Sequence, residues 1–206
     1  MTCVLVLGVP RSGTSTVAGI LHHLGVFMGE RFPDPSPMNP RGFFEDQEVI
    51  ELHHQFLDHS AFPETVILTD DPEKLAAYES FIRRREALGR TWGFKDRYSP
   101  FLFHLALRFI QHDLRVIVTE RPFHESIHSW ATQRKCRIKE AQKVVADTLY
   151  ARDMALSEFR GPVLRVHYHE LLEYPCFEVC NICKFLELDL RDEAVAFIDP
   201  KLRRHR

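Results

Sequence analysis

Nothing in this sequence approaches the run of about 20 apolar residues needed to cross a bilayer. The N-terminal apolar run, Cys3 to Val9, spans seven residues and meets Pro10 and Arg11 without a basic lead or a cleavage site, so no signal peptide is expected. Cysteines are few and odd in number, five, which fits a reducing compartment better than a disulfide framework. A marked excess of either charge is also missing: the net charge of -2 gives no reason to expect a nucleic-acid partner, although "IRRRE" (82–86) and "KLRRHR" (201–206) are basic and "EDQEVIE" (45–51) is acidic. Internal repeats and low-complexity tracts are absent. What remains is a chain of 206 residues, 45% apolar, enough for one good core; the expectation is a cytoplasmic single domain over 1–206 with no membrane partner.

The apolar pattern alternates between strands and helices. "CVLVLGV" (3–9) is a continuous β-branched and apolar run, as in a strand buried on both faces of a parallel sheet. From Thr14, the residues Val17, Ile20, Leu21 and Leu24 fall at helical spacing, and Gly25 follows as a stop. The four-proline segment "RFPDPSPMNPRG" (31–42) reads as an extended surface loop. A helix is expected over about 45–58, with His53 and His54 on its surface. Another is expected over 72–88, capped by Asp71, with Pro72 at its first position and "IRRRE" as a solvated face.

Further strands are expected at 65–69, 91–96, 114–120 and 163–167, with helices near 99–111, 121–134, 139–160 and 175–187. Cys176, Cys180 and Cys183 recur at helical spacing and read as a core stripe, with no ligand spacing for a metal. The fold class is therefore α/β: three layers, α/β/α, around a central parallel sheet of four or five strands, with ligands beyond the C-terminal strand ends.

Between the first strand and helix, Gly8-Val9-Pro10-Arg11-Ser12-Gly13-Thr14-Ser15 keeps the two glycines of the nucleotide loop G-x-x-x-x-G-K-[ST] at the right separation, but Thr14 stands where the lysine belongs. Backbone N–H groups and a helix N-terminus can still face one anion there. Arg11 supplies charge from inside the loop, and Ser12, Thr14, Ser15 and Thr16 add hydroxyls.

"GVPRSGTS" (8–15) resembles the 5′-phosphosulfate loop of sulfotransferases that use 3′-phosphoadenosine 5′-phosphosulfate (PAPS), closest in wording to tyrosylprotein and bacterial carbohydrate-type members. The resemblance implies a P-loop-like fold and PAPS bound by Pro10, Arg11, Ser12, Gly13, Thr14, Ser15 and Thr16, with no metal required. It also calls for an arginine at a strand end and a serine eight positions later, both on the 3′-phosphate. "TERPFHESIHSW" supplies Arg121 and Ser129, and arginine suits that role because its planar fork pairs bidentately with phosphate; the alternatives are a surface ion pair of Arg121 with Glu120 or Glu125 and an ordinary helix serine at Ser129.

"NPRGFFEDQE" (39–48) resembles the bacterial segment that carries a glutamate toward the acceptor, which makes Glu45 the candidate base. Its other reading is a first-turn helix carboxylate favoured by the dipole, and a histidine base, as in cytosolic sulfotransferases, stays open. Lys95 in "WGFKDRY" resembles the lysine of "N-K-D-P" in tyrosylprotein sulfotransferases, which bridges the sulfuryl group and the leaving oxygen; Arg97 stands in place of that proline. A turn or surface pair with Asp96 is the alternative for Lys95. The tail "FIDPKLRRHR" (197–206) resembles a basic segment that closes over PAPS, which brings in Arg203 and Arg204 as cofactor contacts; a charged, frayed terminus is the alternative.

These readings together describe sulfuryl transfer from PAPS to a hydroxyl acceptor, with Arg11, Lys95 and Glu45 catalytic. Two other classes compete: a P-loop ATPase or kinase, which wants the missing lysine and a magnesium-binding aspartate, and a non-catalytic nucleotide-binding module. A small molecule, a carbohydrate or a peptide tyrosine all remain open as acceptor.

Overall fold

The computed structural model describes residues 1–37, 39–60, 65–67 and 69–200. The first half of the chain runs through β1 (Thr2–Gly8), α1 (Thr14–His23), α2 (Gln47–His54), β2 (Leu57–Asp58), β3 (Thr65–Val66), α3 (Pro72–Glu86), β4 (Trp92–Phe94) and α4 (Phe103–Phe109). The second half adds β5 (Asp113–Glu120), α5 (Phe123–Arg134), α6 (Ile138–Glu158), β6 (Val163–His167), α7 (Tyr168–Glu173), α8 (Pro175–Leu186) and α9 (Asp192–Ala196). Four strands form a parallel sheet in the order β4-β1-β5-β6, while β2 and β3 make a separate antiparallel ribbon.

The continuous apolar run of β1 is explained by its place between two neighbours, with Leu5 aligned to Phe94 on one side and Val116 on the other. Its side chains serve two cores. Cys3, Leu5 and Leu7 pack with residues of α2, α3 and α4, whereas Val4 and Val6 pack with α1, α7, α8 and α9. Each fully buried Leu or Val contributes about 1.5–3 kcal/mol relative to exposure, so the strand that starts the site is among the most firmly held parts of the chain. A third cluster joins Val9 to Ile127 and Trp130 of α5 and to Ala141 and Val145 of α6. The chain moves from β4 across β1 to β5, which makes the C-terminal end of β1 the switch point where open α/β sheets bind ligands.

Helix α3 begins as the sequence predicts: the Asp71 carboxylate accepts from the N–H groups of Glu73 and Lys74 at 3.0 and 3.4 Å, and Pro72 follows. Four expectations need correction. Asp46 caps α2 and His54 ends it, so the helix is shorter than 45–58 and Glu45 lies just outside it. His53 is no surface residue but is buried, 1% exposed, and Arg85 of the "IRRRE" face is likewise buried because both point at carboxylates inside the core. Of the cysteine stripe only Cys183 is buried; Cys176 is exposed and Cys180 half-buried. Among the described residues no helix is long and apolar enough to cross a membrane.

Candidate functional site

The loop after β1 is shaped by two left-handed residues, Arg11 at φ 69° and Gly13 at φ 102°. Arginine in that region costs about 1–2 kcal/mol, which the surrounding contacts must offset. Gly13 is required twice over, because a Cβ there would be strained and would also collide with the Tyr168 ring. Beyond it α1 starts with no side-chain cap, so the N–H groups of Thr14 and Ser15, which have no helical acceptor, are left at the positive end of the helix dipole. The cleft beside them is lined by Arg11, Thr14, Ser15, Thr16, Arg121 and Ser129. Ser12 instead braces the loop against β5, its hydroxyl donating to the Val9 carbonyl at 2.8 Å and lying 2.6 Å from Thr119 Oγ1. Pro10 does not line the cleft.

Arg121 at the end of β5 and Ser129 in α5 both reach the cleft, but the guanidinium that meets the serine is the other one. Arg11 Nε donates to Ser129 Oγ at 3.0 Å, while Arg121 donates to the Arg11 carbonyl at 3.1 Å and through Nε to Glu125 Oε2 at 2.8 Å. The Arg121–Glu125 ion pair is one of the alternatives open in the sequence, although it lies mostly buried and not on the surface; the Arg11–Ser129 contact has no such sign. His169 shares Glu125 Oε2 at 3.0 Å. Burial pushes the Glu125 carboxyl up, but the hydrogen bonds and charges of Arg121 and His169 outweigh it and hold it below the usual carboxylate range. The Arg121 guanidinium also lies over the Tyr168 ring at 5.0 Å. Its Nη2 is buried with no partner among the described residues, an expensive state for a charged donor.

Lys95, one residue beyond β4, is 4% exposed and joins the loop to the acidic segment. Its ammonium donates to Ser15 Oγ at 3.1 Å, to the Phe43 carbonyl at 3.3 Å and to the Glu45 carboxylate. Lys95 thus pairs with Glu45 and not with its neighbour Asp96, whose carboxylate is spent on a turn. There Asp96 accepts from the N–H of Arg97 at 2.7 Å, from Tyr98 N–H at 3.2 Å and from His53 Nδ1 at 2.8 Å. Burial would raise the Asp96 carboxyl, but the His53 hydrogen bond and charge, the Tyr98 N–H and Lys95 outweigh it and keep it low. Arg97 in place of proline has a local reason: it supplies an N–H that proline lacks.

The structure therefore gathers Arg11, Thr14, Ser15, Thr16, Arg121 and Ser129 around one cleft and sets Lys95 and Glu45 against its loop. Arg203 and Arg204 lie outside the described residues. Sequence reasoning missed Tyr168, which lines the same cleft, and did not single out Phe197 and Arg41, although both lie in segments read as part of the site, 197–206 and 39–48. Tyr168 carries a readable mark, the first residue after a strand end; for Phe197 and Arg41 the segment is marked but the residue is not.

The chain is similar throughout to one family. The profile described as "Sulfotransferase family" matches residues 3–192, and the chain belongs to that family. No curated protein sequence matches it. Among solved structures, the sulfotransferase domain from the Synechococcus PCC 7002 olefin synthase superposes with a TM-score of 0.58 at 15% identity, covering 100% of this chain and 83% of that one. The sulfotransferase domain from the curacin biosynthetic pathway gives 0.60 at 15% identity over 95% and 77%. Sulfotransferase STF1 from Mycobacterium tuberculosis gives 0.56 at 16% over 96% and 70%. At such identities the structural likeness speaks to the fold: an α/β, P-loop-like sheet flanked by helices.

Proposed function

We propose that residues 1–206 form one domain that transfers a sulfuryl group from PAPS to a hydroxyl acceptor. The observation that carries this reading is the position of Lys95, whose ammonium touches both Ser15 at the anion loop and the Glu45 carboxylate. A cation held between an anion site and a base is what sulfuryl transfer needs, and it stands in for the lysine the loop lacks. The buried, unpartnered Arg121 Nη2 and the uncapped start of α1 both fit a ligand carrying more than one anionic group.

When bound, PAPS supplies the sulfuryl group and a phosphate leaving group. The N–H groups of Thr14 and Ser15, with Arg11, hold the 5′ end and strengthen their hold as negative charge grows on it. Arg121 and Ser129 hold the 3′-phosphate, with Arg11 bridging the two subsites through its bond to Ser129. Lys95 keeps positive charge at the transferring position. Glu45 accepts the acceptor hydroxyl's proton at a carboxylate oxygen, which requires it to leave Lys95 or to use its second oxygen. No step calls for a metal.

Turnover of labelled PAPS against a panel of sugar, phenol and tyrosyl-peptide acceptors tests the reading. Glu45→Gln is expected to lower kcat by about 10²–10⁴-fold, the usual range for a positioned general base, with little change in donor affinity. Undiminished turnover in that variant removes Glu45 as the base.

A further inference from the structure

Two buried ion pairs flank the Lys95–Glu45 pair, and both end on α2. At the start of α2 the capping residue Asp46, next in sequence to Glu45, binds the Arg85 guanidinium, which also reaches Glu48 at 2.7 Å. That guanidinium lies over the rings of Phe27 and Phe81 at 4.8 and 5.1 Å, fixing its plane. Near the end of α2, His53 donates from Nδ1 to Asp96, next in sequence to Lys95, at 2.8 Å. Asp96 is held as the carboxylate, an acceptor only, so Nδ1 carries the proton. The imidazole stacks on Tyr78 at 6.0 Å with an interplanar angle of 8°.

Each member of the Lys95–Glu45 pair is therefore one peptide bond from an anchored carboxylate, and an eight-residue helix of about 12 Å joins the two anchors. Neither His53 nor Arg85 lines the anion cleft. Phe44, on the other side of Glu45, is also fixed: its backbone is left-handed at φ 52°, and its ring packs 5.6 Å from Phe32 and 5.3 Å from Phe197.

We propose that His53 and Arg85 are positioning residues for the Lys95–Glu45 pair, with α2 acting as a strut that sets the carboxylate against the ammonium. Removing either partner strands a buried carboxylate, and the chain relieves that cost by shifting the end of α2 or the turn at Asp96, which moves Glu45 or Lys95. The consequence for turnover rests on the sulfuryl-transfer reading; the geometry belongs to the ligand-free protein and is tested there.

The test is the rate at which an acetylating reagent labels Lys95 in the ligand-free full chain, read by peptide mass spectrometry against exposed Lys184 as internal reference. Lys95 is expected to label slowly in the native protein. His53→Leu keeps the volume but loses the donor, and is expected to raise the Lys95-to-Lys184 ratio at least tenfold. His53→Asn, which restores a donor near the Nδ1 position, should return most of that protection. Arg85→Met should produce the same rise from the other end of α2, and it carries the test if His53→Leu fails to fold.

In a Glu45→Gln background, where the pair is already broken, His53→Leu should add less than twofold. A ratio within twofold of native in both His53→Leu and Arg85→Met, or an effect that multiplies fully on Glu45→Gln, overturns the strut. Turnover separates the two readings: full PAPS turnover by Glu45→Gln with the labelling pattern intact removes the base and leaves the strut, whereas lost turnover with unchanged labelling removes the strut alone.

Discussion

Arg121 concentrates several demands on one side chain. It braces the loop through the Arg11 carbonyl, pairs with Glu125, covers Tyr168 and leaves one buried nitrogen without a partner among the described residues. Lysine could meet the charge but not the fork or the stacking. Arg121→Lys is therefore expected to weaken adenosine 3′,5′-bisphosphate binding by about 10–100-fold, the value of one charge-assisted hydrogen bond of about 1.5–3 kcal/mol, measured by calorimetry. Unchanged affinity would remove Arg121 from the 3′-phosphate.

Its partner Glu125 makes a pH prediction. Because its folded-state carboxyl binds protons less readily than the ordinary carboxylate of the unfolded chain, near pH 4, the stability it contributes is complete above that value and is lost as pH falls through the lower, folded one. Denaturant midpoints measured from pH 7 down to pH 3 should thus fall more shallowly at the acid end in Glu125→Gln than in the native chain. Parallel curves would show that the Arg121–His169–Glu125 contacts do not persist in solution.

At the scale of the elements, the strand, loop and helix at the start of the chain are legible because their signals are local: an unbroken apolar run, two glycines, then a 3.6-residue period. Gly13→Ala tests that unit. With φ at 102° and Tyr168 against the site, the added methyl should destabilise the chain by about 1–3 kcal/mol through strain and overpacking, a fall in Tm of about 2–4 °C per kcal/mol, and abolish anion binding. An unshifted Tm would mean that the loop does not adopt this turn.

Harder to see are side chains whose role depends on another segment. His53 and Arg85 read as surface residues from their polarity, yet each lies on its helix's apolar stripe. Val49, Leu52 and His53 recur at helical spacing, with buried Phe56 in the same period just past the helix, as do Tyr78, Phe81, Ile82 and Arg85, so the period holds the information that residue type hides. Short α7 leaves no periodic trace in its six residues, although its first residue, Tyr168, stands against the anion loop. The Arg11–Ser129 contact is not legible at all, because it depends on a left-handed arginine that no sequence pattern marks.

Over the whole molecule, membership of the sulfotransferase family and the α/β fold agree with what the motifs imply, and the sheet order explains why residues 11, 95, 121 and 168 meet: each follows a strand's C-terminal end on one edge of a four-stranded sheet. The proposed function requires this edge to bind a 3′-phosphorylated adenine nucleotide without metal. The direct measurement is thermal stabilisation of the full chain by adenosine 3′,5′-bisphosphate in chelator, beside ATP with magnesium. At 100 times its dissociation constant a ligand adds about 2.7 kcal/mol, a readily visible shift. Stabilisation is expected from the bisphosphate in chelator and little from ATP with magnesium; preference for ATP with magnesium would contradict sulfuryl transfer from PAPS.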